Sequence, residues 1–141
     1  MPVIHHASLL RDVMKKQVEY WLTQSDNDLP VAESMLEKGH YTWCLFIGHL
    51  VLEKILKAIY VREHQKIAPR IHDLVKLAKS TSLNLSDEQL VFLSEVSDFN
   101  MEGRYPDEKN QFARKCNSEF ATDYLKKIKE MRAWLKKQIE K

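Results

Sequence analysis

Only three glycines, Gly39, Gly48 and Gly103, occur in the 141 residues of this chain, and that scarcity narrows the fold more than any other feature. A β-sandwich or barrel spends glycine at most of its tight turns, because hairpin turns need positive φ. Three are also too few for a glycine-rich phosphate cradle, and neither GxGxxG nor GxxxxGK occurs. A hydrophobic content of 44% excludes a disordered chain. The length suits one domain that buries about two-thirds of its unfolded surface. These constraints together predict a single all-α domain with a charged surface.

The apolar periodicity agrees. Residues 1–10 show no clear period and are expected as a loose arm, or as an extension of the first helix, outside a core of about residues 11–139. From Arg11 onward Met14, Val18, Trp21, Leu22, Leu29, Ala32, Met35 and Leu36 recur at helical spacing. Pro30 removes a backbone donor, which predicts a kink or short break near Ser25–Leu29, and Gly39 suits a left-handed helix end. Residues 41–64 give the strongest helix signal. Apolar side chains surround them through Leu52, as in a central helix, and Gly48 among them fits close approach of another helix. A loop over QKIAPR precedes a short helix at about His72–Ser80. Ser86 and Gln89 read as a capping box opening a helix to about Phe99. Residues 100–116 are expected as one long loop, and a last helix runs from near Asn117–Ser118 to the end. This makes about five helices in one domain spanning 1–141, with no internal repeat.

Charge and cysteine usage narrow the function classes. Lys and Arg number 22 against 20 Asp and Glu, so no overall basic excess marks a nucleic-acid coat. The basic strip of the last helix, Lys126 to Lys141, fits a solvated face near a helix C-terminus, with a phosphate-binding strip as the alternative. Cys44 and Cys116 form no CxxC pair, which predicts reduced thiols in a cytoplasmic protein. Arg114 and Lys115 beside Cys116 would favour its thiolate, but no base is placed to make a nucleophile of it. The first residues do not read as a signal peptide. The apolar runs stop well short of the ~18 residues of a membrane span. The six histidines show no paired metal-ligand spacing, so neither a metal nor another cofactor is expected.

One distributed set carries chemistry. Glu53 and Lys57 stand four apart in the order that favours a helix ion pair. His72 opens the short helix with Asp73, where the two either cap it or contribute a titratable ring. Arg104, Tyr105, Pro106 and Asp107 offer a guanidinium, an aromatic face and a fixed turn, a combination suited to a phosphate and a base. Alternatively Arg104 anchors the loop on Glu53 or another carboxylate.

These residues also carry a family resemblance. Trp21-Leu22, Ser25, Asp28-Leu29, Ala32, Met35-Leu36, Gly39 and Tyr41 resemble the opening pattern of the HEPN domain, a small helical domain of prokaryotes. Glu53-Lys54-Ile55-Leu56-Lys57-Ala58 resembles its E-K-x-L-K-A stretch, His72-Asp73-Leu74 with Leu77 its H-D-L-x-x-L, and Arg104-Tyr105-Pro106-Asp107 its R-Y-P-D loop. The match runs from about residue 20 to 137. The resemblance implies an antiparallel up-and-down helical bundle that forms a homodimer. It also implies a role with nucleotides or RNA, often beside a separately encoded minimal nucleotidyltransferase in toxin–antitoxin-like or nucleotide-modification systems.

Many relatives are metal-independent RNases with an R-x(4–6)-H motif, and this chain departs from them. Arg62 and Arg70 precede His64 and His72 at other spacings, and no histidine follows His72. Gly48-His49-Leu50 stands where relatives often carry glutamines. The expectation is therefore a non-catalytic subunit binding a nucleotide or RNA phosphate through Lys57, His72, Arg104, Tyr105 and Asp107, with Glu53 in support. The alternatives are an RNase with His72 as general acid or base and Arg104 stabilising the phosphate, and a purely structural adaptor protein.

Overall fold

A computed structural model describes the backbone of residues 2–141 and the side chains of residues 7–141. Its described residues form six helices without strands: α1 (Pro2–Glu37), α2 (Tyr41–His64), α3 (Leu74–Lys79), α4 (Asp87–Ser97), α5 (Pro106–Lys115) and α6 (Ser118–Glu140). The all-helical expectation holds, with one helix more than the five expected.

α2 is the axis of the bundle and packs against each of the other five helices. Leu45, Val51, Leu52, Ile55, Leu56, Ala58 and Val61 are all fully buried along it, which is why its apolar residues cover so much of its circumference. α1 folds back on α2 through a glycine turn. Gly39 takes φ +80°, His40 N–H donates to Met35 O at 2.8 Å and Gly39 N–H to Leu36 O at 3.1 Å. These bonds are the paired closures of a Schellman motif. α6 crosses α2 at Gly48, where an added Cβ would stand 2.8 Å from Ile128 Cδ1. Gly48 therefore serves close helix approach, as the sequence suggests.

Three expectations are corrected. Residues 2–10 take the second of their two expected forms, continuing α1 as helix, so the loose arm is not seen. The break expected near Ser25–Leu29 does not occur, and α1 runs through Pro30. Pro30 is exposed, so the carbonyl it leaves without a donor falls on the solvent side. The opposite face stays docked, with Ala32 fully buried and Ser25 Oγ donating to Val51 O at 2.9 Å. Finally, the expected loop over 100–116 contains α5. Pro106 at its first position, Asp107 and Glu108 in its first turn, and Arg114 and Lys115 in its last turn all favour a helix end by end. α5 buries no residue fully and is held through Phe112, whose ring stacks on Phe99 at 5.4 Å.

The capping box at Ser86 and Gln89 forms on both sides, and Asn117 caps α6 by accepting from Phe120 N–H at 2.9 Å. α6 buries Ala121, Leu125, Ile128, Met131, Leu135 and Ile139 at helical spacing. The lysines between Lys126 and Lys137 lie exposed on the opposite side.

Candidate functional site

Past Leu52 the α2 surface turns polar, and two of its charged side chains, Glu53 and Lys57, remain buried. Glu53 is 4% and Lys57 6% exposed. Lys57 Nζ donates to Glu53 Oε2 at 3.1 Å and lies 5.2 Å from the ring centre of Trp21 on α1. A buried carboxylate is tolerable only when donors satisfy it. Glu53 has a second one, because His72 Nδ1 donates to its Oε1 at 2.9 Å. The i, i+4 pair read from the sequence is thus half of a three-residue cluster.

His72 is fixed twice. Its backbone carbonyl accepts from Nε2 of His49 at 3.0 Å, and its ring is oriented by Glu53. Donation to a carboxylate requires the proton on Nδ1, which leaves Nε2 of a half-exposed ring without a partner among the described residues. Asp73, not His72, caps α3, its Oδ1 accepting from Val75 and Lys76 N–H at 3.0 and 3.2 Å. Leu74 N–H donates to Ser97 Oγ at 2.9 Å, tying this corner to the end of α4.

Arg104 enters from that same end. Gly103 at φ +72° turns the chain back after α4. Arg104 Nε then donates to Asn100 O at 2.8 Å, and its terminal nitrogens stand 3.9 Å from Asp98 and 3.5 Å from Glu108. Both carboxylates are exposed, so these pairs are weak. Of the two anchoring alternatives raised by the sequence, the partners are carboxylates other than Glu53. Tyr105 precedes α5 as its N-cap residue and is 75% exposed, while Asp107 lies exposed in the first turn of α5. The structure therefore joins Glu53, Lys57 and His72 directly. Arg104 joins none of them directly: its partners are Asn100, Asp98 and Glu108, at the end of α4 that Leu74 N–H reaches through Ser97, and Tyr105 and Asp107 lie on the outer surface.

His49 was not among the site residues expected from the sequence. It is fully buried, Nε2 also lies 3.8 Å from Glu53 Oε1, and Nδ1 has no partner. The signal was present in the four-residue spacing of His49, Glu53 and Lys57, which puts all three on one face of α2. Burial pushes the pKa of His49 below the ordinary 6.5, against smaller upward effects of the His72 carbonyl, Glu53 and Glu102. The unfolded chain therefore takes up this proton first as pH falls. The stabilising contribution is complete above the unfolded value and is lost as pH drops through the folded one. Chemical denaturation across pH 7 to 5 should show this loss, with a slope of at most about 1.4 kcal/mol per pH unit from this group. His49→Gln should flatten the profile; an unchanged slope would contradict a buried neutral His49.

The cysteines are not reactive centres. Cys116 is 4% exposed and burial pushes its thiol up to about 11, the reverse of the lowering suggested by its basic neighbours. Cys44 is raised to about 11 by burial and then by proximity of Cys116.

Comparison with known proteins bears on the family and the fold. The model of the HEPN domain family matches residues 18–138, which include all of α2 through α5 and nearly all of α6. No curated protein matches the chain. Among solved structures, the crystal structure of TT1696 from Thermus thermophilus is similar with a TM-score of 0.73 at 19% identity, over 86% of this chain and 97% of that one. At that identity the likeness speaks for the fold. No helix of the described residues is long and apolar enough to cross a membrane. With the family model spanning nearly the whole bundle and the same helical fold in a solved structure, this chain belongs to the HEPN-domain family.

Proposed function

We propose that this protein is a non-catalytic, homodimeric subunit that binds the phosphate of a nucleotide or RNA and works in the cytoplasm with a separately encoded minimal nucleotidyltransferase. The reading is supported by a half-exposed His72 ring oriented by Glu53, and by an Arg104 whose terminal nitrogens face exposed carboxylates at the end of α4, the end tied to the start of α3. A phosphate would replace weak ion pairs at Arg104 with charge-assisted bonds. It would also accept a hydrogen bond from Nε2 of a doubly protonated His72 ring. Lys57 acts from behind, since its ammonium is buried against Glu53 and Trp21. Tyr105 and Asp107 follow Arg104 on the exposed surface, where the tyrosine would offer a face or hydroxyl to the ligand.

The dimer reading draws on α1. Leu9, Val13, Tyr20 and Val31 are 62%, 49%, 52% and 41% exposed, and their spacing puts them on one face. That face adjoins, and is distinct from, the Met14, Val18 and Trp21 stripe, with the Tyr20 and Trp21 rings meeting at its edge. A second copy covering it would remove an apolar strip from water.

Fluorescence anisotropy with a labelled single-stranded RNA, and competition with ATP, should show saturable binding. Arg104→Ala should weaken that binding about tenfold or more, as befits loss of a charged hydrogen bond. An unchanged Kd for Arg104→Ala would remove Arg104 from the site.

The Glu53–His72 pair supports a second reading, because a carboxylate-oriented imidazole is a general acid–base arrangement. RNA cleavage in the presence of a metal chelator, abolished by His72→Ala, would favour the RNase over the binding subunit.

A further inference from the structure

A cavity of about 260 Å³ opens between the first turns of α2 and the middle of α5, on a part of the surface that the Glu53 cluster does not use. Its walls are Trp43, Phe46 and Met101, and Thr42, Lys109 and Asn110 bring polar groups to it. Trp43 is 58% exposed, with only an edge contact to Phe46 at 5.9 Å between ring centres. So large an aromatic surface left in water at the mouth of a cleft offers a stacking face. The volume is below the roughly 300–1,000 Å³ that encloses a whole drug-sized ligand, and suits one planar ring with the rest of its molecule outside.

The polar residues indicate which ring. Lys109 forms no ion pair among the described residues. Asn110 carries an amide that both donates and accepts, which matches the edge of a nucleobase. An apolar side chain of a protein partner in the same slot would strip water from Lys109 and Asn110 and return nothing. Met101 also closes the turn that presents Arg104, whose N–H donates to Met101 O at 3.4 Å. The slot and the proposed phosphate site thus share one loop.

We propose that this slot seats a nucleobase, stacked on Trp43 and held at its edge by Asn110, with Lys109 attracting the anionic backbone that carries it. This rests on the nucleotide- or RNA-binding reading and names its second contact. The base comes either from a free nucleotide or from a single-stranded RNA.

The test compares three probes on the full chain: a short labelled single-stranded RNA, the same strand with abasic sites, and ATP. Trp43→Ala should weaken binding of the intact strand roughly tenfold, in line with one lost base stack. It should leave the abasic strand unaffected, and Trp43→Phe should restore most of the loss. A matching loss for ATP assigns the slot to a free nucleotide, and a loss confined to RNA assigns it to a strand. Lys109→Ala should reduce the salt dependence of strand binding. Because Trp43 is exposed, the thermal unfolding midpoint of Trp43→Ala should stay near that of the parent chain. If Trp43→Ala binds all probes like the parent while Arg104→Ala is still weakened, the slot is overturned and the phosphate site stands. If the parent chain binds neither RNA nor ATP, both fall.

Discussion

Glu53→Ala should cost about 3–5 kcal/mol of folding stability, measured by urea denaturation followed by circular dichroism. The reason lies in what the substitution leaves behind. Lys57 is 6% exposed and Glu53 supplies its charged partner at 3.1 Å. Without that carboxylate an ammonium stays buried beside Trp21, with only the ring face to stabilise it. His72 loses the acceptor of its Nδ1 proton at the same time, so the loop before α3 is loosened. Replacing both partners with methionine should recover much of the loss, because an apolar pair of similar volume carries no unpaired charge. A loss below about 1 kcal/mol for Glu53→Ala would show that water reaches the pair and that it is not a buried cluster.

Leu52→Ala should be comparably severe, at about 2–5 kcal/mol, because its side chain is fully buried in the central helix and the cavity it leaves cannot collapse freely. Val91→Ala on α4 is the matching control. Val91 is 60% exposed and its truncation should stay within about 0.5 kcal/mol. Thermal melts of the two variants check the pair. Equal small shifts would mean that α2 is not the axis on which the bundle is packed.

The fold was legible where a helix announces itself locally. Apolar residues at every phase of 41–52, the Ser86–Gln89 box and Asn117 before α6 each act within a few residues, so their effects survive into the folded chain. α5 was missed because Phe112 is the one large apolar residue within it, and its helix is marked by end charges and Pro106 instead of a stripe. The break at Pro30 was expected on local grounds, and packing against α2 overrode it.

The site was legible to the same extent. Glu53 and Lys57 meet because four residues make one turn, which sequence spacing dictates. That His72 completes the carboxylate's bonding depends on how the loop after α2 returns, across 19 residues. The partners of Arg104 depend on the turn at Gly103 and the unexpected start of α5, which places Glu108 one turn away. Tyr105 and Asp107 adjoin Arg104 in sequence, and the start of α5 makes them its N-cap and first-turn residues, both exposed.

The central claim is that the Glu53 cluster and the Gly103 turn together present His72 and Arg104 to one phosphate. A nitrogen-15 NMR titration following the His72 imidazole and the Arg104 Nε–H while nucleotide or single-stranded RNA is added tests it most directly. The account predicts that both signals move together and saturate at one common Kd, starting from a His72 protonated at Nδ1 in the free protein. Signals of His72 and Arg104 that stay fixed while binding saturates elsewhere would contradict it.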